Sequence, residues 1–169
     1  MRENPLTDAD YEYIHRGVRE KRHRLPRESY RGNRTVVFTI CGTPQCCNLA
    51  TKSIFEALYT WLKEACSKHN TQLLALIVMP DHLHAVLRGV TSDADLWAAI
   101  CLFKQKAGHH GKRFPGFRLQ KDFYDHIIRK DEDVSKHFYY VLSNPMRAGL
   151  VECWEDYPYK YISENLEDW

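Results

Sequence analysis

The stretch LLALIVMPDHLHAVLR, residues 73–88, contains two predicted β-strands on either side of a Pro80-Asp81 break. Residues 73–79 are apolar without interruption, which is typical of a central strand buried on both faces. In residues 82–88 the side chains alternate between faces, so His82 and His84 point the same way and the apolar residues between and after them point into a core. Because neutral histidine is the commonest metal ligand, this pair can supply half of a metal site. A hydrogen-bonded pair without metal is the alternative.

The segments around this hairpin extend it into a predicted α+β domain. The predicted elements are, in order, a strand over 35–40, an amphipathic helix over 51–68, the two strands of the hairpin, a helix from a capping box at 92–95 to Gly108, a strand over 123–129 and a helix that ends near Ser143, before Pro145. This order is the ferredoxin-like split βαβ pattern with a C-terminal addition.

The composition is that of one ordinary globular domain. The chain has 169 residues, of which 44% are hydrophobic and 27% charged. It has no apolar run near the ~20 residues that span a membrane, and its first residues lack the apolar core of a signal peptide, so we expect a cytoplasmic protein. None of the six cysteines forms a Cys-x-x-Cys pair, which argues against a structural zinc ribbon.

The charge is unevenly distributed, although the net charge is only +2. We divide the chain into a basic N-terminal arm (1–33), a globular domain (34–152) and an acidic tail (153–169). Basic clusters suit phosphate backbones, and solvated surface is the alternative for each of them. The candidate DNA-binding residues outside the arm are Lys104, Lys106, Lys112, Arg113 and Arg129.

The last predicted helix contains two adjacent tyrosines, and a helical wheel separates them. Val134, Phe138, Val141 and Leu142 form an apolar stripe, and Tyr140 lies about 145° from its centre. We therefore predict that Tyr139 packs and that Tyr140 is free for chemistry, with Asn144 four residues further on the same face.

Three pieces of the sequence together resemble a known family. They are the His-Leu-His of residues 82–84, the segment DFYDHIIR at 122–129 and the segment YVLSNPMRAGLV at 140–151. The combination resembles the single-tyrosine HUH (His-hydrophobe-His) transposases, and within them the REP-associated tyrosine transposases. The resemblance implies a central antiparallel sheet with helices on one face and a C-terminal helix that carries the tyrosine.

The resemblance also implies an activity and the residues that carry it. Tyr140 would be the nucleophile that attacks a phosphodiester of single-stranded DNA, next to a REP-like hairpin, to form a 5′-phosphotyrosine link. His82, His84 and Asn144 would bind a divalent metal, Mg²⁺ or Mn²⁺. For Asn144, a helix C-cap in the left-handed conformation is an equal alternative. The REP-associated type is similar to a monomer that uses its own tyrosine, so we expect a monomer rather than a dimer.

Three other functions compete with strand cleavage and joining. A domesticated DNA-binding protein would keep the fold without transposition activity. Another HUH class, such as the relaxases or the replication initiators, is a second alternative. Relaxases usually have a third histidine shortly after the pair, and residues 85–88 offer none. A zinc hydrolase that uses His82, His84 and a carboxylate would leave Tyr140 and the Asn-Pro segment unexplained.

Overall fold

The computed structural model describes residues 25–129 and 132–164. The strands are β1 (Thr35–Cys41), β2 (Thr71–Val78), β3 (His82–Gly89), β4 (Tyr124–Ile128) and β5 (Lys160–Ile162). The α-helices are α1 (Lys52–Lys68), α2 (Leu96–His110), α3 (Val134–Leu142) and α4 (Asn144–Arg147). Short 3-10 turns lie at Arg27–Tyr30, Gly111–Arg113 and Trp154–Asp156.

The five strands form one sheet in the order β4-β1-β3-β2-β5, and each pairing is antiparallel. The first four strands have the 4-1-3-2 order of a split βαβ fold, so the predicted α+β class and ferredoxin-like architecture are confirmed. The central register sets Thr39 opposite both His84 of β3 and Tyr124 of β4. Side chains of three neighbouring strands are thereby brought to one part of the sheet.

Helices cover the two faces of the sheet differently. The apolar sides of α1 and α2 pack on one face, where Leu62 and Phe103 meet Phe38 of β1 in a fully buried layer. The short helix α3 packs on the other face, where Val141 and Leu142 meet β-strand residues in a second, smaller core. Among the described α-helices of eight residues or more, α3, which carries Tyr140, is therefore the only one on its side of the sheet.

The start of α2 differs from the prediction. Asp95, and not Ser92, caps the helix, because its carboxylate accepts a hydrogen bond from the backbone N–H of Ala98 at 2.8 Å. The helix also continues past Gly108 to His110. Gly108 has no positive φ, so it does not act as the left-handed C-terminal glycine that the prediction assumed.

The C-terminal segment contributes a strand that was not predicted. Lys160–Ile162 forms β5, which pairs with β2, and the Tyr157 hydroxyl donates a hydrogen bond to the Val78 carbonyl at 2.7 Å. In the predicted N-terminal arm, Tyr30 is fully buried, while residues 1–24 lie outside the described residues. The three-part division of the chain stays a prediction.

None of the described helices has the length and apolar character that a membrane crossing requires. All six cysteines are free thiols.

Candidate active site

A cavity of about 530 Å³ lies on the face of the sheet that α3 covers. Three strands contribute to its wall, because the antiparallel register sets His84 of β3 and Tyr124 of β4 on either side of Thr39 of β1. The polar and aromatic residues that line it are Thr39, Cys41, His82, His84, Tyr124, His126, His137, Tyr140, Asn144 and Arg147. The cavity therefore contains all four residues predicted for catalysis and metal binding.

The two histidines of β3 converge at this cavity. Their Nε2 atoms are 3.1 Å apart and their rings are nearly perpendicular, at 86°. Each Nδ1 atom has its own partner: the Asp81 carboxylate lies 2.7 Å from that of His82, and the Thr39 hydroxyl lies 2.9 Å from that of His84. Partners on Nδ1 that fix the ring and leave Nε2 for the ion are typical of metal-binding histidines.

The spacing of the pair is compatible with one shared ion. Neighbouring ligands of an octahedral ion with bonds of about 2.1 Å are about 3.0 Å apart, close to the observed Nε2–Nε2 distance. The residues present thus fit the divalent metal that the sequence resemblance implies.

The environment of His84 keeps its imidazole neutral. Burial, together with the charges of His82 and Arg147, lowers the pKa of His84 to about 3, although a hydrogen bond with Asn144 works in the opposite direction. Because a histidine must be deprotonated to bind a metal, His84 is ready to act as a ligand at neutral pH.

Tyr140 lies in the wall of the cavity, but it is not the exposed residue that the helical wheel predicted. It is 8% exposed and belongs to the second core. Of the predicted apolar stripe, Val141 and Leu142 are buried but Val134 and Phe138 are only half-buried. His137 and Tyr140, which the stripe left out, are buried. The hydrophobic pattern failed because α3 also buries polar residues, against the cavity. The Arg147 guanidinium lies 4.9 Å from the centroid of the Tyr140 ring.

Asn144 begins α4, directly after α3 ends. Its amide nitrogen donates hydrogen bonds to the carbonyls of Tyr140 (2.9 Å) and Val141 (3.2 Å). It has no positive φ, so it is not a left-handed C-cap. Since the nitrogen is held by these carbonyls, the amide oxygen is the atom that remains for the His84 side of the cavity.

A second group of potential metal ligands joins β4 to α3. The Glu132 Oε2 atom lies 2.9 Å from Nε2 of His126 and 3.7 Å from Nε2 of His137, and the two imidazole rings stack with centroids 4.6 Å apart. Within the described residues, these three form a group that could hold a metal ion.

The charge states of this group follow from its contacts. Burial works to raise the pKa of Glu132, but the backbone N–H of Arg129 and the two histidines outweigh it, so the pKa lies below its usual value. Burial, with a contribution from His126, lowers the pKa of His137 despite the nearby carboxylate. A charged carboxylate therefore lies beside the His137 imidazole, whose lowered pKa favours its neutral form.

The predicted DNA-binding residues are not gathered at the cavity. Lys104 and Lys106 lie on α2, on the opposite side of the sheet. Lys104 donates to the carbonyls of Gln120 and Asp122, and Lys106 pairs with Glu64 at 2.6 Å. Arg113 lies over the rings of Trp61 and Phe114, and Lys112 is exposed in the same turn.

Arg129 is exposed at the end of β4, next to Glu132.

Sequence reasoning missed several residues of the site. Arg147 lies within the segment that carries the family resemblance, but no charge pattern distinguished it. Thr39 could have been found from the register, since it shares a face with His84 once β1 and β3 are paired. The Glu132–His137 contact has no short sequence signature, because it depends on how the chain turns between β4 and α3.

Comparisons with solved structures place the fold in a known class. A chain titled "Structure of the REP associates tyrosine transposase bound to a REP hairpin" superposes with a TM-score of 0.69 and 22% identity, over 83% of this chain and 81% of that chain. No family model matches the sequence.

A sequence relative has the same description. A curated protein of Haemophilus influenzae named "Putative REP-associated tyrosine transposase" is 26% identical in an alignment of 125 residues that covers 63% of this chain and 71% of that protein. The predicted resemblance to REP-associated tyrosine transposases is therefore confirmed by both comparisons.

Proposed function

We propose that this protein is a transposase-type enzyme that cleaves and rejoins single-stranded DNA through Tyr140. The observation that carries the proposal is that Tyr140, His82, His84 and Asn144 line one cavity. These side chains come from β3 and from the adjacent helices α3 and α4, which are far from β3 in sequence. A purely structural packing role does not require a nucleophile beside two convergent imidazoles.

In the proposed step, the Tyr140 oxygen attacks the phosphorus of a phosphodiester. A bond forms between the tyrosine oxygen and phosphorus as the phenol loses its proton to solvent. The bond from phosphorus to the 3′ oxygen breaks, and that oxygen takes up a proton and leaves as a 3′-hydroxyl. The 5′ end stays attached to the tyrosine. Because the phosphotyrosine link preserves the energy of the phosphodiester, a 3′-hydroxyl can reverse the reaction without ATP.

His82, His84 and the Asn144 oxygen would hold a divalent ion, Mg²⁺ or Mn²⁺. When bound, the ion would polarise the scissile phosphate and stabilise charge on the leaving oxygen. Asp81 and Thr39 hold the two histidine rings in orientation through their Nδ1 atoms. Arg147, next to both Tyr140 and His84, contributes positive charge where a phosphate would enter.

The proposed substrate is single-stranded DNA next to a hairpin, and the proposed acting form is a monomer. The hairpin follows from the structural relative, whose title describes it as bound to a REP hairpin. The monomer is supported by the position of Tyr140, which lies in the same cavity as the histidine pair of its own chain.

The test is a covalent-adduct assay with labelled single-stranded hairpin DNA from the flanks of the gene, with Mn²⁺ or Mg²⁺, on a denaturing gel. We expect a metal-dependent adduct that Tyr140→Phe abolishes and that the matched control Tyr139→Phe retains. His82→Ala or His84→Ala should remove the metal-dependent cleavage. An adduct that persists in Tyr140→Phe would exclude this tyrosine as the nucleophile.

Absence of an adduct together with a metal-independent shift on a native gel would favour the alternative function, a hairpin-binding protein without transposition activity.

A further inference from the structure

We propose that His126, Glu132 and His137 form a second metal site, for a divalent transition metal such as Zn²⁺, separate from the site at His82 and His84. The donor set is two imidazole nitrogens and one carboxylate oxygen. Three ligands of these types are typical of zinc sites that keep a fourth position open. Such a set differs from the oxygen-rich sets that Mg²⁺ prefers, and its carboxylate adds a negative charge that the ligand set of His82, His84 and Asn144 lacks.

The positions of the donor atoms support the proposal. Three ligand atoms, one from each residue, lie within 4.8 Å of one another. In a tetrahedral site with bonds of about 2.1 Å, neighbouring ligands are about 3.4 Å apart. The observed distances from the Glu132 oxygen, 2.9 Å to His126 and 3.7 Å to His137, lie on either side of this value. Small movements of the side chains would therefore bring the Glu132 oxygen to tetrahedral spacing from both imidazole nitrogens.

Burial and access favour an ion that is held firmly but can still bind a further ligand. The side chains of His126, Glu132 and His137 are only 13%, 9% and 4% exposed. Both histidines nevertheless line the cavity that contains Tyr140. The open position would face that cavity, where water or a phosphate oxygen could occupy it.

The site would also connect the elements that carry it. His126 belongs to β4, His137 to α3, and Glu132 to the link between them, where its carboxylate also accepts from the backbone N–H of Arg129 at 3.0 Å. A metal at this point would fix α3 on the sheet, one turn before Tyr140. Metal binding should therefore stabilise the fold as well as change the cavity.

The experiment removes the first site so that the second is measured alone. The full-length His82→Ala/His84→Ala variant is freed of metal by a chelator and dialysed against Zn²⁺. Bound zinc is then measured by atomic emission, and the visible spectrum of bound Co²⁺ reports the geometry. We expect one equivalent of zinc, a tetrahedral Co²⁺ spectrum and a metal-dependent rise in Tm.

Two further substitutions in this background test the ligands. Adding His137→Ala or Glu132→Gln should weaken zinc binding at least tenfold, while His109→Ala, which changes an exposed histidine of α2, should leave it unchanged. Circular dichroism checks that each variant is folded. If a variant does not fold, the wild-type protein and the single variant His126→Asn are compared. We then expect two equivalents of bound zinc for the wild type and one for His126→Asn.

Absence of zinc from the folded background variant, or equal binding with and without His137, would overturn the proposal and leave these residues as a hydrogen-bonded cluster. Because the background variant lacks the first histidine pair, this result is independent of whether Tyr140 forms a DNA adduct.

Discussion

The chemistry of the histidine pair depends on which ring nitrogen of each residue faces the cavity. His84 is 7% exposed, and burial first, then nearby positive charge, keeps its pKa at about 3. The pKa of His84 is lower in the folded protein than in the unfolded chain. As the pH falls below about 6.5, protonation of this histidine favours the unfolded chain, and the folded state loses stability. At neutral pH the ring is neutral, and the Thr39 hydroxyl on Nδ1 leaves Nε2 for the ion.

A first prediction concerns this hydroxyl. Thr39→Val keeps the shape and the strand propensity but removes the hydrogen bond to His84. Loss of such an orienting partner typically costs about 10- to 100-fold in metal affinity. We expect the Mn²⁺ concentration for half-maximal DNA cleavage to rise by about this factor. Thr39→Ser, the matched control, should stay close to the wild-type value. An unchanged metal requirement in Thr39→Val would show that Thr39 does not orient the histidine.

At the scale of secondary-structure elements, the segment after α4 joins the sheet at the edge formed by β2. β5 has three residues, and the Tyr157 hydroxyl donates to the Val78 carbonyl at the end of β2. Burial, with the neighbouring Tyr159, raises the pKa of Tyr157 to about 12. The protonated hydroxyl therefore contributes its full stabilisation at any pH below the pKa of an unfolded tyrosine, which is about 10. This contribution is lost as the pH rises toward 12.

The second prediction follows from this hydrogen bond. At pH 8, Tyr157→Phe should lower the free energy of unfolding by about 1 kcal/mol, because the Val78 carbonyl loses its donor. Between pH 10 and 12 the wild type should lose stability faster than the variant. Urea denaturation across this pH range measures both effects, with Tyr161→Phe as the control on β5. Identical pH profiles for wild type and Tyr157→Phe would contradict this account of the edge.

The elements also show what sequence patterns can and cannot predict. The strands β1 to β3 were predictable because apolar runs and Gly or Pro breaks marked them. β5 was not, because three half-buried residues in an acidic segment carry no periodic signal. The burial of Tyr140 was missed for a related reason: a hydrophobic wheel assigns polar side chains to solvent, whereas α3 buries His137 and Tyr140 beside a cavity.

At the scale of the whole molecule, the sheet separates two surfaces. The face under α1 and α2 is a conventional apolar core, while the other face holds the cavity with both histidine groups. Convergence of His82, His84 and Tyr140 was predictable from the family resemblance. The three-residue group around Glu132 was not, since its members lie on β4, before α3 and on α3 at a spacing that marks no ligand motif in the sequence.

The arrangement within one chain leads to a third prediction. If Tyr140 acts with the histidines of its own chain, a mixture of Tyr140→Phe and His82→Ala proteins should form no more adduct than either protein alone. Recovery of activity toward one quarter of the wild-type level would instead be expected if the tyrosine served the site of a partner. In an equal mixture half of the dimers would be mixed, and one of the two composite sites in each mixed dimer would be intact. The adduct assay on mixed samples distinguishes the two cases, and sedimentation measures the oligomeric state.

The central claim is that Tyr140 itself becomes linked to the 5′ phosphate of DNA. The most direct test is mass spectrometry of the adduct after nuclease and trypsin digestion. Trypsin should release residues 137–147, a peptide that contains both Tyr139 and Tyr140. We predict that fragmentation will place the nucleotide on Tyr140. A nucleotide on Tyr139 or on another residue would contradict the assignment, and a protein that binds the hairpin but never yields a modified peptide would contradict the covalent chemistry.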